Sequence, residues 1–232
     1  MKADRLLSCA AAILERAIRP MKDLPGVILV ATIWAYWFGV GIMIVRVRRQ
    51  THTLAGLVPE HRLEQYLWLL WVPLVAAWIV VPYLALVNRA APWTVPSFAR
   101  ASSGYSVVRW LAAAAGVCAL LLTSVCWSRM GRNWRMAVSK AKKGELITDG
   151  PFRFVRHPIY ALSRLLMACS ALVLPNWPML ALLLVHFVLT QVKARTEEEH
   201  LLLSHGDAYR DYRAHTGGFL PRLRPATRLS LD

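Results

Sequence analysis

The sequence predicts an all-α fold, a polytopic membrane helix bundle with about five transmembrane helices. Hydrophobic residues make up 56% of the 232 residues. They collect in apolar stretches, several of which reach the roughly 20 residues that a helix needs to cross the hydrocarbon core of a bilayer. The basic residues, which give a formal net charge of +15, stand between these stretches, as is typical of loops at an anionic membrane surface. This placement favours membrane lipids over nucleic acid as the partner.

The first 23 residues are predicted to form a separate segment ahead of the spans. Apolar side chains such as Leu6 and Ile13 recur at helical spacing, which favours an amphipathic helix lying on the membrane. Glu15 and Arg16 interrupt the segment, and no small-residue cleavage site follows. This pattern argues against a signal peptide.

Three transmembrane helices are predicted within residues 24–127. The expected spans are residues 24–45, 66–87 and 105–127. Pro73 and Pro82 lie inside the second span, which a membrane helix tolerates because its neighbours satisfy the freed carbonyl groups. Arg109 stands near the start of the third span, where its long side chain can reach the interface.

The C-terminal unit, residues 128–232, begins with a polar stretch and then becomes apolar twice. The two apolar segments are residues 158–174 and 178–192. The connector at 175–178 is very short, so these two spans must form an antiparallel helical hairpin. We expect the last helix to continue out of the bilayer through the polar run 193–204.

The distribution of basic residues predicts the orientation. The loops after the first and third spans and the C-terminal tail are rich in Lys and Arg, whereas the loop after the second span has only Arg89 and Arg100. The basic loops and the C-terminus are therefore expected in the cytoplasm, which leaves the basic N-terminus outside. We expect an integral protein of a bacterial inner membrane, with its active site on the cytoplasmic side. The four cysteines form no CxxC pair, so no metal site is expected.

Polar side chains collect on one face of the fourth span. His157, Tyr160 and Arg164 are spaced at i, i+3 and i+7, which places them on the same side of a helix. An arginine two turns into an apolar helix is costly to leave in lipid, so it is expected to face the bundle interior or a wet cavity. The alternative is that Arg164 extends to the membrane surface.

The fifth span carries a second polar face. His186, Thr190, Lys193 and Glu197 recur at helical spacing, and Glu198 follows where the helix leaves the membrane. These residues form either part of a functional site or an ordinary charged helix end. His157 and His186 also raise the alternative of two haem ligands on adjacent helices.

Several short motifs follow one another in the last ninety residues. In order they are Gly150-Pro151, Arg156-His157-Pro158-Ile159-Tyr160, Glu197-Glu198, Gly206 with Tyr209 and Tyr212, and Leu220-Pro221. Their order and spacing resemble the isoprenylcysteine carboxyl methyltransferase and phospholipid methyltransferase superfamily of membrane enzymes. The resemblance covers residues 131–221. It implies that S-adenosylmethionine is bound between the last two helices and the cytosolic segments.

The resemblance also implies the roles of individual residues. The implied cofactor-binding residues are Gly150, Pro151, Arg153, Arg156, His157, Pro158, Tyr160, Glu197 and Glu198. A carboxylate suits the ammonium group of the cofactor, and an arginine suits its carboxylate. The implied catalytic residues, which help position the acceptor, are Glu197 and Glu198. For a carboxylate acceptor, which needs no base, the chemistry adds Arg195 or Arg164 as the catalytic residue that orients it.

The implied reaction is methyl transfer to a lipid-like or small apolar acceptor that presents a carboxylate, a thiol or an amine. A base is needed only where the acceptor starts protonated. The sequence departs from the family pattern at Leu162, where many members have glycine, and this departure bears on the space beside the cofactor. Two other functions stay open: a membrane scaffold or transporter without catalysis, and a nicotinamide-dependent membrane reductase, although no glycine-rich dinucleotide turn is present.

Overall fold

A computed structural model describes residues 23–51, 62–88, 102–134 and 145–222 of the chain. These ranges contain six α-helices: α1 (Leu24–Thr51), α2 (Arg62–Val87), α3 (Ser103–Met130), α4 (Pro158–Val173), α5 (Trp177–His205) and α6 (Asp207–His215). Short 3₁₀ turns follow α3 at Gly131–Asn133 and precede α4 at Gly150–Arg153. The predicted all-α membrane bundle is confirmed. The amphipathic helix predicted for the N-terminal segment lies outside the described residues.

Four of the helices, α1, α2, α3 and α5, are long and apolar enough to cross a membrane, whereas α4 is a shorter apolar helix. With 16 residues, α4 is about 24 Å long, less than the roughly 30 Å of a bilayer core. Nine of its residues are buried, which indicates an interior helix enclosed by its longer neighbours. The α4–α5 hairpin and the extension of α5 through the polar run to His205 are as predicted.

Small residues let α4 approach α3 closely. Gly116 of α3 has so little space that an added Cβ atom would lie 3.1 Å from Leu29 and 3.3 Å from Leu166. Membrane helices pack through such small residues because the hydrophobic effect does not drive their association in lipid. The main core therefore lies where α1, α3 and α4 meet.

An ion pair joins α1 and α3 at the end of the bundle opposite the α4 N-terminus. The Arg109 guanidinium donates to the Asp23 carboxylate at 2.5 Å and to the Val173 carbonyl at 3.0 Å. Asp23 is buried and precedes α1, where a carboxylate is favoured by the helix dipole. The sequence predicts that the Arg109 side chain reaches the membrane surface. In the structure it pairs with Asp23, at the start of α1.

The chain after α5 folds back onto the start of α4. Gly206 has a φ of +55° and separates α5 from α6, a conformation that glycine adopts readily. Beyond α6, the backbone N–H groups of Arg156 and His157 donate to the carbonyls of Gly217 and Gly218 at 2.8 and 3.0 Å. These bonds place Phe219 beside His157, with ring centroids 5.6 Å apart.

Candidate active site

A cavity opens between α1, α2, α4 and α5, beside the turn that precedes α4. Its polar mouth is lined by Arg156, His157, Tyr160, Lys193 and Glu197. Its aromatic chamber is lined by Tyr36, Trp37, Trp71 and Trp78, together with His186. His186 and Glu197 are eleven residues apart on α5, about 16 Å along the helix axis. The cavity therefore leads from the charged helix ends into the apolar part of the bundle.

Glu198 contacts two residues of the polar mouth from outside the cavity. Its Oε1 atom accepts hydrogen bonds from Arg156 Nε at 3.0 Å and Nη2 at 2.9 Å, and it lies 3.1 Å from His157 Nε2. Arg156 also donates to the carbonyl of Thr216 in the tail. Charge-assisted hydrogen bonds of this kind are about twice as strong as neutral ones. Most donors of Arg156 are therefore engaged in holding α4, α5 and the tail together.

Glu197 forms the second half of the cluster. Its Oε1 atom accepts a hydrogen bond from the Tyr160 hydroxyl, and its Oε2 atom lies 3.7 Å from His157 Nδ1. The imidazole of His157 thus stands between two carboxylates, one at each ring nitrogen. Since Glu197 lines the cavity and Glu198 does not, Glu197 is the carboxylate that a bound molecule meets.

Below the mouth, polar side chains of α4 contact polar side chains of α5. Ser163 Oγ lies 3.1 Å from His186 Nε2. Arg164 Nε donates to Thr190 Oγ1 at 2.8 Å, and Arg164 Nη2 donates to the side chain of Gln191 at 3.2 Å. The two predicted polar faces therefore meet each other inside the hairpin.

The aromatic chamber has a closely packed wall. The Trp78 ring centroid lies 5.6 Å from that of Trp37 and 5.2 Å from the His186 imidazole, and Trp71 lies 5.5 Å from the same imidazole. Trp78 is fully buried, and its indole N–H donates to Ser170 Oγ at 3.3 Å. These contacts fix the orientation of the rings around the inner part of the cavity.

Residues 111–205 match the sequence profile of the isoprenylcysteine carboxyl methyltransferase (ICMT) family. This part of the chain is therefore similar in sequence to the ICMT family. The resemblance stated from the sequence motifs is thereby confirmed. This match, together with the helical membrane fold, supports a membrane methyltransferase.

Two curated relatives are named for metal resistance. The nickel-cobalt-cadmium resistance protein NccN of Alcaligenes xylosoxydans xylosoxydans is 30% identical over 115 residues, 49% of this chain and 53% of NccN. The cobalt-zinc-cadmium resistance protein CzcN of Cupriavidus metallidurans is 29% identical over 142 residues, 59% of this chain and 65% of CzcN. The chain thus spans less than two thirds of the length of either relative.

A solved structure described as the eukaryotic intramembrane Ras methyltransferase ICMT also aligns with the chain. The TM-score is 0.41 and the sequence identity 18%, over 66% of this chain and 67% of that chain.

The structure brings the ICMT-like motif residues together to different degrees. Arg156, His157, Pro158, Tyr160 and Glu197 line the cavity, and Glu198 holds two of them in place. The other predicted site residues lie outside the cavity wall: Gly150, Pro151, Arg153, Arg164 and Arg195. The Gly150-Pro151 turn contributes indirectly, because it presents the buried ring of Phe152 to the cavity.

The second ICMT-like motif supports this turn. The Tyr212 hydroxyl donates to the Phe152 carbonyl at 2.5 Å. Burial, and then the nearby Glu198 carboxylate, raises the pKa of Tyr209 to about 12, so its phenol stays neutral. The tyrosines of α6 therefore brace the polar mouth from outside the cavity.

Arg164 is neither at the cavity wall nor at the membrane surface. Its guanidinium lies between the rings of Phe187 and Phe219, 4.0 and 3.7 Å from their centroids. Such cation–π contacts strengthen in a desolvated site. The predicted acceptor-orienting role of Arg164 has no geometric support here, since all its described contacts join α4, α5 and the tail.

Sequence reasoning missed most of the chamber. Six tryptophans that the sequence motifs did not include line the cavity: Trp37, Trp68, Trp71, Trp78, Trp127 and Trp134. The helical spacing of Trp71 and Trp78 on α2 was an available signal. Leu162, the departure from the family pattern, packs on the hydrophobic core and does not line the cavity.

The two histidines are unsuited to bind a haem together. Both ring nitrogens of His157 face carboxylates, so neither is available to a haem iron. In the part of the chain that the structure describes, no group of three His, Cys, Asp or Glu side chains is arranged to hold a metal ion.

Proposed function

We propose that this protein transfers a methyl group from S-adenosylmethionine to a lipid-like or small apolar acceptor at the cytoplasmic face of the membrane. The observation that carries the proposal is the clustering of His157, Tyr160 and Glu197, three residues of the ICMT motifs, at the mouth of a cavity that continues into an aromatic chamber. The cofactor belongs at the mouth and the acceptor in the chamber.

The residues of the mouth fit the chemical groups of this cofactor. Glu197 offers a carboxylate to the ammonium group, and Arg156 and Lys193 offer positive charge to the carboxylate. Aromatic faces such as that of Phe152 suit the adenine ring and attract the sulfonium. Bound there, S-adenosylmethionine supplies an electrophilic methyl group.

The protein residues then have three tasks. Tyr160 and His157 hold the Glu197 carboxylate in one orientation, Glu198 fixes Arg156 and His157, and the apolar walls exclude water. Alignment of two reactants in a dry site accounts for a large part of the rate enhancement of such displacements. No acidic or basic group is required for a carboxylate acceptor, whereas a protonated acceptor needs a place for its proton.

Cofactor binding tests the proposal directly. We would measure it by titration calorimetry on the purified full chain in detergent micelles, comparing wild type with Glu197→Gln and with the matched control Glu199→Gln, whose position is exposed on the same helix. Loss of the charged partner should weaken binding by about 10-fold or more, while the control retains wild-type affinity. Equal affinity in all three proteins would contradict the site.

Product identification tests the reaction. Incubation with methyl-labelled cofactor and a bacterial membrane extract should label a lipid-soluble product, and reduced nicotinamide cofactors should neither bind nor turn over. Binding of a nicotinamide cofactor instead would favour the reductase, and binding of neither would favour a scaffold.

NccN and CzcN are both named for resistance to metals, which gives a biological setting in which to test the reaction. We propose that the methyl transfer contributes to tolerance of divalent transition metals. A strain lacking the gene should grow more slowly than its parent in cobalt, nickel or cadmium, and the wild-type gene but not the Glu197→Gln variant should restore growth.

A further inference from the structure

His186 is a buried histidine that the proposed cofactor site does not use. It lies in the aromatic chamber with 1% of its surface exposed. Among the described residues, its Nδ1 atom has no hydrogen-bond partner. Buried polar atoms without partners are rare in folded proteins and call for an explanation.

The contacts of Ser163 determine which nitrogen of His186 carries the hydrogen. Ser163 Oγ donates to the Tyr160 carbonyl at 3.0 Å and lies 3.1 Å from His186 Nε2. A serine hydroxyl has one hydrogen, and here it goes to a carbonyl that only accepts. His186 Nε2 must therefore be the donor to Ser163, which leaves Nδ1 with a free lone pair.

A second buried nitrogen of the same chamber is a hydrogen-bond donor and not an acceptor. The Trp37 indole N–H is also buried without a partner among the described residues, and an indole nitrogen only donates. Trp78 packs against both residues, with ring centroids 5.6 Å from Trp37 and 5.2 Å from His186. The chamber thus offers one donor and one acceptor within apolar walls.

The lone pair of His186 Nδ1 selects the chemistry of the acceptor group. A thiol or hydroxyl donates one hydrogen bond, as the lone pair of His186 Nδ1 requires. A carboxylate only accepts, and it would face the lone pair of His186 Nδ1. An ammonium group carries a charge that the aromatic chamber leaves without a carboxylate partner among its lining residues.

We propose that the acceptor is a neutral thiol that donates its S–H to His186 Nδ1. This inference rests on the proposed methyltransferase function and names its substrate class. A thiol fits better than an alcohol because its S–H is far more acidic, and because sulfur packs favourably against aromatic rings.

The proposed step is a displacement at the methyl carbon. The thiol sulfur forms a bond to the methyl carbon while the bond between that carbon and the sulfonium sulfur breaks, and the electron pair of that bond stays on the departing sulfur. The S–H bond of the acceptor breaks, and its proton passes to His186 Nδ1. The products are a methyl thioether and a neutral thioether cofactor product, and His186 later returns the proton to water. No oxidant or reductant takes part.

A set of matched acceptors tests the substrate class without any mutation. Purified full-length protein in micelles is incubated with S-adenosylmethionine and hexanethiol, hexanol or hexanoate. We expect methylation of hexanethiol to exceed that of the other two by about 100-fold, within the range that positioned proton acceptors contribute. Preference for hexanoate or hexanol would overturn the thiol assignment while leaving the methyltransferase function in place.

A pair of variants tests the residue. His186→Gln keeps an amide near Ser163 but removes the hydrogen-bond acceptor at the δ position. Ser163→Ala keeps the imidazole but removes the contact that fixes its tautomer. We expect His186→Gln to lower hexanethiol turnover by about 100-fold and Ser163→Ala by about 10-fold or less, with cofactor affinity unchanged in both. Equal turnover in His186→Gln and wild type would refute the role.

Binding without the cofactor gives a readout that is independent of activity. Calorimetric titration with hexanethiol should show binding to wild type and weaker binding to His186→Gln, and hexanoate should bind poorly to both. If wild type binds no S-adenosylmethionine and methylates no acceptor, the proposed function itself fails. If it methylates acceptors other than thiols, only the thiol inference fails.

Discussion

At the scale of single residues, adjacent glutamates on α5 have different neighbours. Glu197 lines the cavity and accepts from Tyr160, whereas Glu198 points to Arg156 and His157 and is absent from the wall. Consecutive helical residues differ by about 100° in direction, so two neighbours of the same type meet different surroundings. We therefore propose that Glu197 contacts the ligand and that Glu198 positions its neighbours.

Substitution of Glu198 tests the positioning role. Glu198→Gln keeps the size of the side chain but removes the charge that Arg156 and His157 contact. We expect cofactor affinity to fall by about 10-fold, since hydrogen bonds to charged groups contribute about 1.5–3 kcal/mol. Calorimetry would show this, with Glu199→Gln as the control. Affinity equal to that of wild type would remove Glu198 from the site.

Removal of one hydroxyl tests the orientation of Glu197. Tyr160→Phe deletes the donor to Glu197 while the ring keeps its place beside His157, whose centroid is 5.9 Å away. The loss of one hydrogen bond of about 1 kcal/mol should weaken cofactor binding by about fivefold and leave the melting temperature unchanged. A large drop in melting temperature would instead assign Tyr160 to the folding core.

At the scale of helices, the α4–α5 hairpin is held by polar contacts within an apolar bundle. Arg164 alone contacts Thr190, Gln191 and Phe187 of α5 and the ring of Phe219 in the tail. Because lipid does not drive helices together as water does, such interhelical hydrogen bonds add specificity to the packing. The hairpin and the folded-back tail therefore form one unit.

The stability of this unit depends on Arg164. Arg164→Met should remove the hydrogen bonds and the cation–π contacts, worth together about 2 kcal/mol, and lower the melting temperature by about 4–8 °C. The exposed Arg195→Met serves as the control and should melt like wild type. If Arg164→Met kept its melting temperature but lost methyl transfer at saturating cofactor, the role predicted from the sequence, orientation of the acceptor, would be the correct one.

At the scale of the whole molecule, the orientation in the membrane is a prediction from the basic loops. With α1 entering from outside, Asn88 at the end of α2 is expected on the outer side and Leu203 near the end of α5 in the cytoplasm. Both positions are exposed in the structure. The polar mouth lies near the same end of α5 as Leu203, so the orientation decides which side supplies the cofactor.

Labelling of single cysteines tests this orientation. In a variant without the four native cysteines, Asn88→Cys should react with a membrane-impermeant maleimide in intact spheroplasts, and Leu203→Cys should react only after permeabilisation. The reverse pattern would place the polar mouth outside the cell, away from the cytoplasmic supply of cofactor, and would contradict the proposed site of action.

The helical bundle and its hairpin were predictable from the sequence because they depend on local properties. The length of the apolar stretches, the spacing of polar residues and the short connector before α5 are all read along the chain. The same local periodicity placed His157, Tyr160 and Arg164 on one face of α4. The motif order also indicated the superfamily, which the match over residues 111–205 confirms.

Only the tertiary structure decided what each polar residue faces. Periodicity predicts which face of a helix a residue lies on, but not which neighbour that face contacts. It therefore did not predict that Glu197 lines the cavity while Glu198 does not, or that Arg164 lies outside the cavity wall. The aromatic chamber depends on contacts between residues distant in sequence, such as Trp37 of α1, Trp78 of α2 and His186 of α5. The free lone pair of His186 depends on yet another helix, because Ser163 of α4 fixes its tautomer. The sequence by itself determined the bundle and its resemblance to the superfamily, and the packing of the helices decided the arrangement of the candidate site.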